Sequence, residues 1–305
     1  MKQHLLLPLA ALLGGVAAFC LRLWQNCTCF EPQTGLPIPG APAGMVLAVF
    51  LLAFGGLFFW LTCRLPKDVN GGPLLPAEFV TQDARLLVLP VAGVLLIAAA
   101  GLADLYEGMT HTSLLTQLLT AADPYSETVV PAAAGLSPAA KRLLGLLGLV
   151  FAASMFPTLS ACRRGARESG EFRGAALLLI PPVALVVRLV LVYRVNSVDP
   201  VLSAYYVDLL ALVFLTLAFY RLSSFAFRAG KTRLFAFYVC AAVVLSMAAL
   251  ADGGPDLSTL LLGVGGSAAL LGFLLLRLAI PAAGAEPAGQ EDDASQAEES
   301  SGDSV

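Results

Sequence analysis

The chain contains 305 residues, of which 58% are hydrophobic and 13% are charged, and its mean hydropathy is +0.82. Soluble domains are about 45–50% apolar and about 25% charged, so this composition excludes a water-soluble fold. The net charge of −3 comes with no basic surface of the kind that binds nucleic acid. The sequence therefore predicts an all-α protein that crosses the lipid bilayer several times.

Eight apolar segments are long enough to span a bilayer, which requires about 20 residues in a helix. They lie near residues 5–24, 43–63, 86–106, 143–162, 175–194, 201–220, 234–251 and 257–278. No small-x-small cleavage site follows the first segment, so we interpret it as a retained helix and not as a signal peptide. We predict one transmembrane domain of eight helices over residues 1–280. Residues 281–305 contain seven acidic residues and no basic one, which predicts a disordered acidic tail in the cytoplasm.

Basic residues are concentrated in alternate loops, as expected when a chain weaves back and forth across a membrane. Thirteen of the eighteen lysines and arginines fall on one side: Lys2, Arg64, Lys67, Arg85, Arg163, Arg164, Arg167, Arg173, Arg221, Arg228, Lys231, Arg233 and Arg277. The opposite loops carry Arg22, Lys141, Arg142 and Arg194, together with most of the acidic residues outside the tail. Because lysine and arginine favour the cytoplasmic side, both termini are predicted to face the cytosol.

The third and seventh segments align without a gap, which suggests an internal duplication. Each begins with Arg-Leu, at Arg85 and Arg233, and each ends fifteen residues later in Leu-Ala-Asp, at Asp104 and Asp252. The neighbouring segments agree more loosely. The alignment predicts two parallel repeats, residues 1–165 and 166–280, related by an axis along the membrane normal. Chance similarity stays open as the alternative, because outward-running helices often begin at Arg and end at Asp.

The first outer loop contains Cys27 and Cys29, a Cys-x-Cys pair. Thiolates bind soft metals, but one pair without further ligands is a weak metal site, and we favour incidental placement. Residues 22–26 and the proline-rich stretch 30–40 resemble a loop of multi-pass membrane proteins from Gram-positive anaerobic bacteria, whose activity is not known. This resemblance covers about twenty residues and implies a bacterial cytoplasmic membrane as the location.

Residues that indicate membrane-enzyme chemistry are missing from the predicted spans. The two histidines, His4 and His111, lie outside them, which excludes bis-histidine haem, HExxH zinc and Ser-His chemistry within the bundle. We therefore expect no catalytic residue and no cofactor. Residues 111–122 carry leucines at helical spacing. This pattern predicts an amphipathic helix at the interface or, alternatively, a lid over an outer pocket.

Arg188 and Asp208 are charges inside the fifth and sixth segments, and charges within membrane spans are rare and often functional. The hairpin between them centres near residue 198, so both should reach a similar depth at about 1.5 Å of rise per residue. We predict that they form an ion pair in a polar site lined by tyrosines. The candidate ligand-binding residues are Arg188, Asp208, Tyr193, Tyr205 and Tyr206. The alternative is a structural ion pair that only permits membrane insertion.

These features favour a non-enzymatic membrane protein, permease-like or binding a small solute or lipid headgroup, with a polar cavity in the outer half between helices five and six. The alternative is an accessory or scaffold subunit of a membrane complex that has no ligand and docks a cytosolic partner through its acidic tail. A water-filled cavity that reaches Arg188 would favour ligand binding. An ion pair enclosed by packing would favour the scaffold.

Overall fold

The structure is a computed structural model of the chain. It describes residues 3–31, 38, 40–65, 75, 79–81, 83–110, 113–114, 117, 136–164, 174–197, 202–252 and 256–283. The predicted acidic tail lies outside the described residues from position 284 onward, so its disorder and its partner stay predictions.

The described residues form eight long helices and no β-strand, which confirms the all-α class and the number of spans. Helices α1 to α8 are Gln3–Thr28, Pro42–Cys63, Ala84–Thr110, Pro138–Arg164, Ile180–Asn196, Leu202–Ser224, Thr232–Ala249 and Leu257–Ala283. Each is long and apolar enough to cross a membrane. At one end of the bundle, α1 and α3 continue about one turn beyond their predicted ends. Residues that the sequence assigned to loops therefore lie within helices.

Prolines mark the beginning of several helices. Pro42 and Pro138 are the first residues of α2 and α4, where a helix leaves the backbone N–H unpaired in any case. Pro181 and Pro182, which by sequence predict a bend in helix five, follow a 3₁₀ turn at Ala175–Leu179 and stand in the first turn of α5. The proline pair therefore marks the change from 3₁₀ to α geometry within this span.

Helix α3 lies between two neighbours and packs along its length against α4 on one side and α8 on the other. Helix α7 packs against α1, α6 and α8, whereas α2 lies at the periphery against α1 and α7. In two repeats related by a two-fold axis, α3 corresponds to α7 and α8 corresponds to α4. The close packing of α3 against α8 would then be matched by equally close packing of α7 against α4. The described residues show no comparable α7–α4 packing, so the 4+4 repeat is not confirmed.

Glycines allow α3 to approach both neighbours closely. A Cβ atom added at Gly93 would meet backbone atoms of Gly265 and Ala269 on α8, and one added at Gly101 would meet the backbone of Gly145 on α4. Small residues permit this kind of close contact between membrane helices. The glycines of α4 and α8 therefore share a packing role against the same helix.

Leu75 and Phe79, two of the described residues between α2 and α3, are buried at one end of the bundle, which we call the Phe79 end. Phe79 is fully buried, and its ring centroid lies 5.3 Å from Phe225, 6.2 Å from Phe273 and 6.5 Å from Phe235. The backbone N–H of Leu75 in the same loop donates to the carbonyl of Phe225 at 3.2 Å. Edge-to-face aromatic packing thus fills this end. The opposite end, which we call the Asp104 end, holds the buried charges.

Candidate functional site

Arg188 forms a buried ion pair with Asp104. Its Nη1 donates to Oδ2 of Asp104 at 2.7 Å, and its Nη2 donates to the hydroxyls of Thr259 at 2.9 Å and Ser258 at 3.2 Å. Arg188 is 5% exposed and Asp104 is 1% exposed. The guanidinium therefore joins α3, α5 and α8, and the surrounding helices remove the ion pair from lipid.

The predicted ion pair between Arg188 and Asp208 is wrong, because the carboxylate that binds Arg188 is Asp104. Among the described residues, no cation lies within salt-bridge distance of Asp208. The hairpin argument fixes how deep a residue lies along its helix. It does not fix the face of the helix on which the side chain projects, which changes by about 100° per residue. Arg188 lies on the face of α5 that is directed toward α3 and α8.

Three further charged residues extend this ion pair toward the end of the bundle. Glu107 follows Asp104 at i+3 on the same face of α3, and its Oε2 accepts from Lys141 Nζ at 2.6 Å. Lys141 Nζ also lies 3.1 Å from Oδ2 of Asp256. We call the whole set the Arg188 cluster: Asp104, Glu107, Lys141, Arg188, Asp256, Ser258 and Thr259. It contains three carboxylates and two cations.

The segment predicted as an interfacial helix or lid contacts this cluster. The backbone N–H of Leu114 donates to Oε1 of Glu107 at 2.9 Å, and the hydroxyl of Tyr106 lies 3.5 Å from Oε1 of Gln117. Apart from Ser113, Leu114 and Gln117, residues 111–122 lie outside the described residues. The described part of the segment therefore lies at the end of α3, and its role as a lid stays a prediction.

A second arginine, Arg22 on α1, is fully buried at the same end. Its Nε donates to Oδ1 of Asp252 at 2.5 Å, and its Nη1 donates to Oε1 of Gln25 at 2.9 Å. Nδ2 of Asn26 donates to the same Asp252 oxygen at 3.0 Å. The guanidinium carbon lies 5.4 Å from the ring centroid of Tyr206. We call the second set the Arg22 cluster: Arg22, Gln25, Asn26, Tyr206, Asp208 and Asp252.

Four of the five predicted ligand-binding residues can be placed, and their surroundings differ. Arg188 belongs to the first cluster. Tyr206 and Asp208 belong to the second, since Asp208 lies within electrostatic range of both Asp252 and Arg22. Tyr193 is 58% exposed on the surface of the bundle, and the side chain of Tyr205 lies outside the described residues. A ligand site therefore has to be argued separately for each cluster.

Among the residues that the structure describes, three buried polar atoms of the two clusters have no hydrogen-bond partner. They are Oδ1 of Asp104, Nε of Arg188 and Oδ2 of Asp252. Buried polar atoms are normally paired, and leaving one unpaired costs about 1–3 kcal/mol unless a water, an ion or a ligand contacts it. Both clusters therefore retain hydrogen-bonding capacity for a partner from outside the chain.

Among the described residues, no third metal ligand accompanies the Cys-x-Cys pair. Cys27 is exposed, whereas Cys29 is buried with its Sγ 3.9 Å from the hydroxyl oxygen of Thr28. In the part of the chain that the structure describes, no group of three or more His, Cys, Asp and Glu residues is arranged to hold a metal.

Sequence reasoning missed the true partners of both arginines. Arg22 and Asp104 lie two residues before the ends of their predicted spans and were counted with the charges of the outer loops, so neither was considered as a partner inside the bundle. Two signals could have identified them. Asp104 and Glu107 have the i, i+3 spacing that places two carboxylates on one helix face. The Leu-Ala-Asp triplets at Asp104 and Asp252 also mark equivalent acidic ends on α3 and α7.

Comparisons of the chain with protein-family models, with curated proteins and with solved structures gave no match. Function is therefore inferred from the residues of the two clusters.

Proposed function

We propose that this integral membrane protein is non-enzymatic, permease-like or ligand-binding, and that its polar site is the Arg188 cluster. The site lies among α3, α5 and α8, instead of between α5 and α6 as the sequence predicts. One observation carries the proposal. Nε of Arg188 is a donor and Oδ1 of Asp104 is an acceptor, and both are buried without a hydrogen-bond partner among the described residues although the two side chains form an ion pair with each other.

The two unpartnered atoms specify the chemistry of the ligand. A small polar solute, or a lipid headgroup, that carries both an acceptor and a donor would satisfy them together. An ion pair kept only for packing is expected to have its other polar atoms paired, because unpaired buried groups reduce stability. The side chain of Asp256, at the edge of the cluster, is 32% exposed, which supports an approach from water at the Asp104 end.

We place the Asp104 end on the outer side of a bacterial cytoplasmic membrane, with both termini in the cytosol. The distribution of cations supports this orientation. Arg64, Arg85, Arg228 and Lys231 all lie beside helix ends at the Phe79 end. Basic residues of this kind favour the cytoplasmic side of a membrane.

A scaffold or accessory subunit is the second candidate function, and the burial of the ion pair favours it. Arg188 is 5% exposed and Asp104 is 1% exposed, as expected for an ion pair that only fixes the packing of three helices. In this function the acidic tail would dock a cytosolic partner.

Accessibility of a cysteine beside Arg188 distinguishes the two functions. The test uses Thr259→Cys in a protein whose exposed cysteines Cys20, Cys27 and Cys63 are replaced by alanine. Right-side-out vesicles are treated with a membrane-impermeant methanethiosulfonate. If solutes reach the cluster from outside, the thiol at 259 should react, because the Thr259 hydroxyl contacts the Arg188 guanidinium.

Ser267→Cys in the same background is the matched control, since Ser267 lies about two turns deeper on α8 and is 6% exposed. Modification at 259 but not at 267 supports a ligand site. No modification at 259, under conditions that modify Cys27 in the wild type, would rule out an open route to Arg188 and favour the scaffold.

A further inference from the structure

Arg221 is an arginine near the end of α6 that has no carboxylate partner among the described residues. It lies three residues before Ser224, where the helix ends, and inside the apolar span Tyr206–Phe227. Its Nε is buried without a hydrogen-bond partner in the described part of the chain. Charges within membrane spans are rare, usually paired and often functional. Arg221 therefore differs from Arg22 and Arg188, each of which binds an aspartate.

Two tyrosines contact the Arg221 guanidinium between α6 and α7. Its Cζ lies 5.7 Å from the ring centroid of Tyr238 on α7 and 5.8 Å from that of Tyr220 on α6. An aromatic ring attracts a guanidinium but accepts no ordinary hydrogen bond, so this contact leaves the N–H groups available. Tyr238 packs against Phe214 and Phe237, whereas Tyr220 is 50% exposed. The guanidinium therefore lies beside a surface that faces lipid in the membrane.

The Phe79 end, where Arg221 lies, is rich in positive charge. Asp83 is the only carboxylate among the described residues of this end, and it is exposed. The exposed cations described there are Arg64, Arg85, Arg163, Arg228 and Lys231. Arginine stays protonated in proteins, so the charge of Arg221 is present even though the side chain is half-buried. A basic membrane surface of this kind attracts anionic lipid headgroups.

We propose that Arg221 binds the phosphate of an anionic glycerophospholipid in the leaflet at the Phe79 end, with the acyl chains against α6 and α7. A guanidinium binds phosphate through charge-assisted, often bidentate hydrogen bonds. The phosphate supplies both the counter-charge and the acceptors that the described residues do not provide. Basic pockets between transmembrane helices bind anionic headgroups for the same reason. This site depends neither on the function proposed for the Arg188 cluster nor on the assigned orientation.

Native mass spectrometry of the full-length protein tests the proposal, with phosphatidylglycerol and phosphatidylcholine as the probes. The delipidated protein in detergent is titrated with each lipid, and the fraction that carries one lipid is measured. We expect phosphatidylglycerol to bind about tenfold more tightly, because the choline cation offsets the phosphate charge that Arg221 contacts. Equal affinities of the wild type for the two lipids would overturn the proposal and show that Arg221 only extends toward interfacial water.

Arg221→Gln and Arg228→Gln separate a specific site from general attraction by a basic surface. Both substitutions remove one positive charge from the Phe79 end, but Arg228 is exposed. Arg221→Gln breaks no ion pair of the described residues. We expect it to abolish the preference for phosphatidylglycerol, whereas Arg228→Gln should keep most of that preference. Equal losses in the two variants, or no loss in Arg221→Gln, would overturn the assignment.

Arg221→Lys is a milder variant, because it keeps the positive charge at this position. A lysine ammonium neither stacks on Tyr238 as a plane nor binds phosphate through a fork of N–H groups, so phosphatidylglycerol should bind more weakly than to the wild type. Unchanged binding would contradict a site built around the guanidinium.

A soluble headgroup tests whether the ligand is a lipid. Glycerol phosphate, added to the wild type at the same concentration as the lipid, should not displace phosphatidylglycerol, because it lacks the acyl chains that contact α6 and α7. Displacement would assign the site to a soluble phosphate and overturn the lipid proposal.

Discussion

Asp104 and Asp252 hold the same position in two Leu-Ala-Asp triplets, and each binds a buried arginine from the other half of the chain. Asp104 on α3 binds Arg188 on α5, and Asp252 beyond α7 binds Arg22 on α1. In the predicted repeat, α3 corresponds to α7 and α1 corresponds to α5. The two ion pairs are therefore equivalent under the repeat, since each joins the aspartate of one half to the arginine of the other half. Helix packing does not share this relationship, because α3 lies between α4 and α8 whereas α7 lies beside α1 and α6.

The partner of Arg188 can be tested by double-mutant analysis. Arg188→Leu leaves the carboxylate of Asp104 buried without its cation, which should cost on the order of 3–5 kcal/mol and lower the unfolding midpoint and the amount of protein in the membrane. Replacing both residues, Arg188→Leu with Asp104→Leu, should restore most of the stability, because an apolar pair can substitute for a buried ion pair. Size-exclusion chromatography of samples heated to increasing temperatures measures the unfolding midpoint of the single and the double variant.

Two controls make this test specific to the Arg188–Asp104 pair. Arg194→Leu removes an exposed arginine from the last turn of the same helix and should change the midpoint little. Asp208→Asn should not rescue Arg188→Leu. If Asp208→Asn rescued it and the Asp104 substitution did not, the observed ion pair would be refuted in favour of the predicted one.

The number of transmembrane helices could be predicted from sequence because it follows from the length and hydrophobicity of the apolar segments. All eight spans were found, with ends that differ by a few residues, since an apolar segment of about 20 residues has few alternatives to a transmembrane helix. The ends were less certain because polar residues such as Asn26 and Glu107 continue a helix when other parts of the bundle supply their partners. A hydropathy pattern does not contain that information.

The site could be predicted only in part. Arg188 was identified because a charge in the middle of an apolar span is conspicuous. Its partner was not, because pairing depends on which helices are neighbours and on the rotation of each about its axis. Asp104 is 84 positions away in the chain, and the contact arises because α5 directs Arg188 toward α3 and α8. The spacing of residues within one hairpin gives neither the neighbours of a helix nor its rotation about its axis.

The orientation that we propose for the bundle gives a labelling prediction. Cys27 is exposed at the Asp104 end, so an impermeant maleimide added to intact cells should modify it, whereas Cys29 is buried and should react far more slowly. A cysteine introduced by Lys231→Cys, at an exposed position of the Phe79 end, should react only after the membrane is permeabilised. Reaction of that cysteine in intact cells would reverse the assigned orientation.

The aromatic group at the Phe79 end predicts a loss of stability when Phe79 is shortened. Phe79→Ala removes a fully buried ring that contacts three other phenylalanines, and truncating a buried phenylalanine costs about 3–5 kcal/mol. We expect a clearly lower unfolding midpoint. Phe156→Ala is the control, because Phe156 is 51% exposed on the surface of α4. Equal effects of the two substitutions would show that Phe79 does not pack into the bundle.

The close contact between α3 and α8 predicts that one methyl group at Gly93 destabilises the bundle. In Gly93→Ala, the new Cβ would meet backbone atoms of Gly265 and Ala269, so a helix has to shift. Overpacking of this kind costs about 1–3 kcal/mol, which should appear as a lower unfolding midpoint in nanodiscs.

Gly55→Ala in α2 is the same chemical change where a Cβ would meet nothing within 4 Å. There the substitution should leave the midpoint unchanged or raise it, because alanine is favoured over glycine within a helix by about 1 kcal/mol. Both glycines lie within helices that span the membrane, so the gain in helix propensity is common to the two variants. The difference between them therefore measures the α3–α8 contact itself, and two equal midpoints would contradict the observed approach of the backbones.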